Sequence, residues 1–179
     1  MRLFIMLLTA VMFVSNGRAI DQRGAESTKT PKKAGIVVAP DPRSVELQIG
    51  NVEVTYSDGI KDLWTAKNNC SLARVSADGT VGWTVHGPET KIAASYTVRP
   101  NGTLVLNRKG KVIARIESSK PFIEDWMFID AGGRLILLTR AAHGPANIEL
   151  HDTTTGKMIE SVKAQDEHLP AWAKPYQGN

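Results

Sequence analysis

The chain has 179 residues, 42% of them hydrophobic and 6% aromatic, with 22 basic against 18 acidic side chains and a formal charge of +4. That balance describes a globular chain and excludes a polybasic nucleic-acid binder. A single cysteine, Cys70, excludes an intramolecular disulfide framework.

Arg2 supplies a basic start, Leu3 to Val14 is a nearly unbroken apolar run, and Gly17-Arg18-Ala19 places small residues three before and one before a cut. This predicts a secretory signal peptide over residues 1–19 and a periplasmic or secreted destination. The run is shorter than the roughly 20 residues that span a bilayer, so no stable membrane insertion is expected after processing. Removing residues 1–19 takes away Arg2 and Arg18 and leaves +2, from 20 basic against 18 acidic side chains. The remaining cations are scattered among acids, which gives no footprint for nucleic acid as a partner. Cys70 reads as a partly buried residue beside a strand, with an intermolecular bridge as the alternative.

Residues 20–43 shift to Gly, Ser, Thr, Lys and Pro, broken only by Ile36-Val37-Val38, and are expected to be a flexible N-terminal arm. One domain is expected over residues 44–173, followed by a tail over 174–179. No sustained 3.6-residue apolar pattern follows Ser44, and short apolar or alternating runs recur between turn residues, so the domain is predicted to be all-β. The expected strands are Val45–Ile49, Val52–Tyr56, Lys61–Thr65, Leu72–Val75, Val81–His86, Thr103–Asn107, Val112–Glu117, Trp126–Ile129, Leu135–Thr139, Asn147–His151 and Met158–Val162.

Two kinds of turn repeat between these strands. Ser76-Ala77-Asp78-Gly79 and Asp130-Ala131-Gly132-Gly133 each precede an apolar strand, with Gly79 and Gly133 spaced by 54 residues. Tyr56-Ser57-Asp58-Gly59, Asn107-Arg108-Lys109-Gly110 and Thr153-Thr154-Thr155-Gly156 follow alternating strands, with glycines spaced by 51 and 46 residues. Tight hairpins need a positive φ that a Cβ opposes, so glycine is expected there. A repeated four-strand unit of about fifty residues is the signature of propeller blades. The fold expected is propeller-like, with about three four-stranded antiparallel blades. The first lacks its A strand, which the segment His168–Ala173 would supply by closing back onto it. A two-layer β-sandwich is the alternative. Since propellers usually have about 4 to 8 blades, the chain is either a small, incompletely closed monomer or half of a six-bladed homodimer.

The stretch Arg74-Val-Ser-Ala-Asp-Gly-Thr-Val-Gly-Trp83 resembles the WD-like repeat of periplasmic TolB-type β-propellers, in which Ser-Pro-Asp-Gly precedes an aromatic-bearing strand. Ala77 stands where that family often has Pro. With Tyr56-Ser-Asp-Gly59, Asp125-Trp126, His143-Gly144-Pro145 and Pro170-Ala171-Trp172-Ala173, the pattern is similar to small exported bacterial proteins over roughly residues 50–173. The resemblance implies a fold and a periplasmic address and carries over no catalytic residues.

His86-Gly87-Pro88 and His143-Gly144-Pro145 follow equivalent expected strands and are candidates for one rim, where loop-borne sites sit. With Asp125, Trp126 and Arg140 they form the candidate ligand-binding rim. The alternative for each His is a polar turn. The four tryptophans, Trp64, Trp83, Trp126 and Trp172, are expected in packing between blades, or as an aromatic platform at the mouth of the domain. Asp152, opening a Thr-rich turn, is expected to cap it. No His-x-His or His-Glu-x-x-His spacing, nucleophile elbow, phosphate loop or dinucleotide fingerprint occurs, so no metal, cofactor or catalytic residue is assigned. The expected function is a non-enzymatic binding or interaction module for a protein or small ligand. The alternative is a small hydrolase or metal-dependent enzyme using rim His and Asp residues.

Overall fold

A computed structural model describes residues 30–40, 48–65, 69–93 and 96–178. The expected signal peptide, residues 20–29 and 41–43 of the expected arm, and residues 45–47 of the first expected strand lie outside them. The described strands form four antiparallel sheets, none closed into a barrel. The first sheet is a meander of β1 (Pro31–Pro40), β2 (Gln48–Tyr56) and β3 (Lys61–Thr65). The second begins with β4 (Cys70–Val75) and β5 (Val81–Val85), and leaves the sheet for a separate hairpin of β6 (Thr90–Ala93) and β7 (Tyr96–Val98). It then resumes with β8 (Thr103–Arg108) and β9 (Lys111–Glu117). The third is a meander of β10 (Phe122–Ile129), β11 (Arg134–Arg140), β12 (Asn147–Asp152) and β13 (Met158–Lys163). No helix among the described residues is long and apolar enough to cross a membrane.

The turn chemistry follows the residues. Gly79 takes φ +80, and its N–H donates to the Ser76 carbonyl at 3.1 Å. The Thr80 N–H donates to Ser76 Oγ and Asp78 Oδ1, each at 3.0 Å, so two short polar side chains complete the β4–β5 turn. Asp152 accepts from the Thr154 and Thr155 N–H groups at 3.0 and 2.7 Å and caps the β12–β13 turn as expected.

Alternation then stacks the sheets. Val52, Val54 and Tyr56 of β2 pack against Cys70, Val81, Trp83 and Val105 of the second sheet. From its other face Leu104, Leu106 and Ile116 meet Ile123, Trp126, Leu135 and Leu137 of the third. Because Val105 faces one way and Leu104 and Leu106 the other, the second sheet is buried on both sides. Trp64 and Trp83 meet edge to face at 6.1 Å within the first interface. Cys70 is buried against the first sheet, and burial pushes its thiol up to about 11, which makes it a poor nucleophile.

Three expectations are corrected. Residues 31–40 are not part of a flexible arm: they pair with β2 along their length, Ile36 opposite Val52. Pro31 and Pro40 sit at the ends of an edge strand, where the missing N–H is tolerated. The segment His168–Ala173 does not close the first sheet. It leads into a 3-10 helix, Ala171–Tyr176, and Leu169 before it with Ala173 and Tyr176 within it cover Ile136, Leu138 and Ile148 on the outer face of the third sheet. Their spacing is helical rather than alternating, and Pro175 cannot donate to a ladder. The stack has three layers of sheet, not the two of a sandwich.

Candidate functional site at the shared sheet edge

β1, β4 and β10 are the first edge strands of the three sheets, and β4 runs beside both β1 and β10. Both β4 and β10 carry a bulge in the pairing with the next strand of their own sheet. In β4 the register shifts between Ser71 and Arg74, with Leu72 at φ +51. In β10 it shifts between Ile123 and Asp125. Bulges re-aim side chains and disrupt a ladder locally. Here Arg74 and Asp125, each just past its bulge, meet across the two sheets.

Arg74 Nη2 donates to Asp125 Oδ1 at 2.6 Å, and its guanidinium lies 5.8 Å from the centre of the Trp126 ring. Tyr176 Oη donates to Asp125 Oδ2 at 3.0 Å, so both carboxylate oxygens are engaged. Burial first, and the Asp125 charge second, raise the Tyr176 phenol above its ordinary value, which keeps the hydroxyl a donor. The Arg74 and Asp125 side chains remain 37% and 34% exposed. A pair this accessible is screened. A double-mutant cycle of Arg74→Ala and Asp125→Ala, read by urea unfolding, is expected to give a coupling of about 1 kcal/mol or less.

The other candidates lie apart from this cluster or beneath it. Trp126 is fully buried, and its Nε1–H donates to the Leu72 carbonyl at 2.7 Å, so its ring forms no platform. Arg140 Nε lies 2.6 Å from Glu124 Oε1 as an ion pair whose geometry is off line for a hydrogen bond, and Nη1 reaches the Gly144 carbonyl at 3.3 Å. His143 is exposed in the same loop. His86 is half-buried, with Nε2 3.1 Å from Ser71 Oγ, which itself lies 2.7 Å from Thr84 Oγ1. Burial pushes the His86 imidazole below its ordinary value, only partly opposed by the Arg99 carbonyl, so the ring is neutral at physiological pH. Beside it a shallow cleft of about 300 Å³ is lined by Gly87, Pro100, Thr103, Ser119 and Pro121. No group of three or more His, Cys, Asp or Glu residues able to hold a metal occurs among the described residues.

Sequence reasoning missed Arg74 and Tyr176. It also missed Glu149, a carboxylate with no exposed surface lying between the second and third sheets. Glu149 accepts from the Ser119 N–H at 3.1 Å, Ser119 Oγ, Thr139 Oγ1 at 2.8 Å and His151 Nε2 at 3.1 Å. Burial opposes its ionisation, but the bonds from His151, Ser119 and Thr139 outweigh burial and hold the carboxyl below its ordinary value. Ser119 and His151 both bond Glu149 rather than each other, so the cluster is a structural hub tying the β9–β10 linker to β12. No protein-family model, curated protein or solved structure matches the chain.

Proposed function

We infer that the chain is an exported, non-enzymatic interaction module that binds a protein or small ligand along the shared edge of β1, β4 and β10. The observation that carries this reading is the Arg74–Asp125 pair, aimed across two sheets by paired bulges yet still about a third exposed. Arg74 uses one N–H on Asp125 and retains donors for an incoming carbonyl or carboxylate.

The stack itself is a small, unclosed propeller-like array, its second and third sheets complete blades and its first a blade without the innermost strand. The recurring turns support this reading. Coverage of the third sheet's outer face by Ala171–Tyr176 argues for the monomer over a two-chain ring, which would need that face free.

The hydrolase alternative draws support from the contact of Ser71 with a neutral His86. Against it, the nearby His86 and Gly87 N–H groups already donate to the Asn69 and Pro100 carbonyls, at 2.8 and 2.6 Å, and are not available as oxyanion donors. The two readings part experimentally. Retention of a periplasmic protein or peptide by wild type, lost in Arg74→Glu while the fold is kept, is the expected result. Turnover of chromogenic esters with fluorophosphonate labelling, both abolished by Ser71→Ala, would replace binding with hydrolysis.

A further inference from the structure

The exposed large hydrophobic side chains among the described residues are Ile60, Leu63, Val112, Ile113, Met158 and Ile159, all on or just before the last strands β3, β9 and β13. In the two complete sheets their arrangement is the same. On β9, Leu106 is opposite Ala114 but Asn107 is opposite Val112, so Ile113 is an extra residue. On β13, Leu150 is opposite Glu160 but His151 is opposite Met158, so Ile159 is the extra residue. A regular strand would turn one of two neighbours inward. At each bulge both stay exposed: Val112 and Ile113 at 44% and 36%, Met158 and Ile159 at 52% and 54%.

The two pairs belong to one surface. A Cβ built on Gly156, two residues before Met158, would lie 3.2 Å from the Arg115 carbonyl and 3.6 Å from Ala114 Cβ, so the β12–β13 turn is seated on β9. Around the pairs stand Lys109, Lys111, Arg115 and Lys157, all exposed and forming no ion pair among the described residues. Acids on the same elements keep their charge but bond neutral donors of their own neighbourhood, and none among the described residues pairs with these cations. Asp152 caps its turn, Glu117 accepts from Thr103 Oγ1 at 2.8 Å, and Glu160 accepts from Trp172 Nε1 at 3.1 Å.

We propose that this edge is a peripheral docking surface for an anionic lipid bilayer, with Val112, Ile113, Met158 and Ile159 entering the headgroup boundary and the four cations lying over the phosphates. Apolar side chains ringed by cations match the two attractions of an acidic interface. The bulges disfavour an added peptide strand. The side chains project outward, and none of them lines the cleft beside His86 or the one of about 600 Å³ between β13 and Lys174. This surface is separate from the Arg74–Asp125 edge and does not depend on the reading of that edge.

The test is co-sedimentation of the chain lacking residues 1–19 with vesicles of equal phosphatidylethanolamine and phosphatidylglycerol, against pure phosphatidylcholine. Expected are binding to the acidic vesicles alone and weakening by salt. At least about a tenfold loss is expected in Ile113→Glu/Ile159→Glu, and a smaller loss in Lys111→Gln/Lys157→Gln. Both variants change exposed side chains, and circular dichroism melts check that each keeps the fold. Should a melt fail, Val112→Ser/Met158→Ser takes its place, with the same direction expected. Absence of wild-type binding to acidic vesicles overturns the proposal. So does equal binding to phosphatidylcholine, or binding undiminished in the folded glutamate variant.

Discussion

Replacing Glu149 by alanine is expected to destabilise the fold by about 3–5 kcal/mol, read by urea unfolding at neutral pH. The substitution removes the shared acceptor of four donors, from Ser119, Thr139 and His151, in a site without solvent. Leaving a buried network half satisfied is the costly case, since each orphaned group keeps its desolvation penalty. Glu149→Gln keeps the shape but turns an amide donor toward donors, so it recovers only part of the loss. The two proteins also differ in pH dependence. The folded carboxyl titrates below its unfolded counterpart, so its contribution is complete above the ordinary carboxylate range and is lost as pH falls through the folded value. Thermal melts from neutral pH to about pH 3 should therefore show wild type converging on Glu149→Gln. A constant gap would mean that the charge of Glu149 contributes nothing.

The second large effect is expected at Trp126. Its ring is fully buried, stands edge to face with Phe128 at 5.0 Å and donates to the Leu72 carbonyl. Truncation to alanine empties the interface between the second and third sheets, at a cost of about 3–5 kcal/mol. The complementary test adds volume. A Cβ on Gly82 would lie 2.5 Å from Trp126 Cη2 and 2.9 Å from Leu106 Cδ2, so Gly82→Ala is expected to cost about 1–3 kcal/mol through overpacking. If Gly82→Ala is neutral while Trp126→Ala is severe, the ring has room to move and the interface is looser than its geometry implies.

Much of the second and third sheets was legible because their strands are short, alternating and punctuated by Asp-Gly or Gly-Gly turns whose chemistry is local. The β6–β7 hairpin was not. Thr90–Ala93 and Tyr96–Val98 are short and stand among Glu89, Lys91 and Arg99, so no apolar face announces them. β1 was hidden by its own prolines and lysines, and its identity depends on β2, a partner that composition does not reveal. The C-terminal segment misled through Trp172, which matches Trp126 in apparent register, while the spacing of Leu169, Ala173 and Tyr176 carried the real signal. At the candidate site Asp125 could be picked out, but its partners Arg74 and Tyr176 stand 51 residues away in either direction. Glu149 and His151 share one face of β12 by alternation. Charged residues at that spacing ordinarily mark a solvated face, and it is packing toward the second sheet, with the Ser119 linker, that makes them internal.

Coverage of the third sheet by residues 164–176 also sets an order of events during synthesis. By Lys163 every strand of the described residues has been made, yet Ile136, Leu138 and Ile148 still face water. The segment that follows closes that face, so a nascent chain stalled at Lys163 holds three finished sheets with one adhesive side. Premature stops after Lys163 should accordingly yield aggregates rather than a shortened soluble protein.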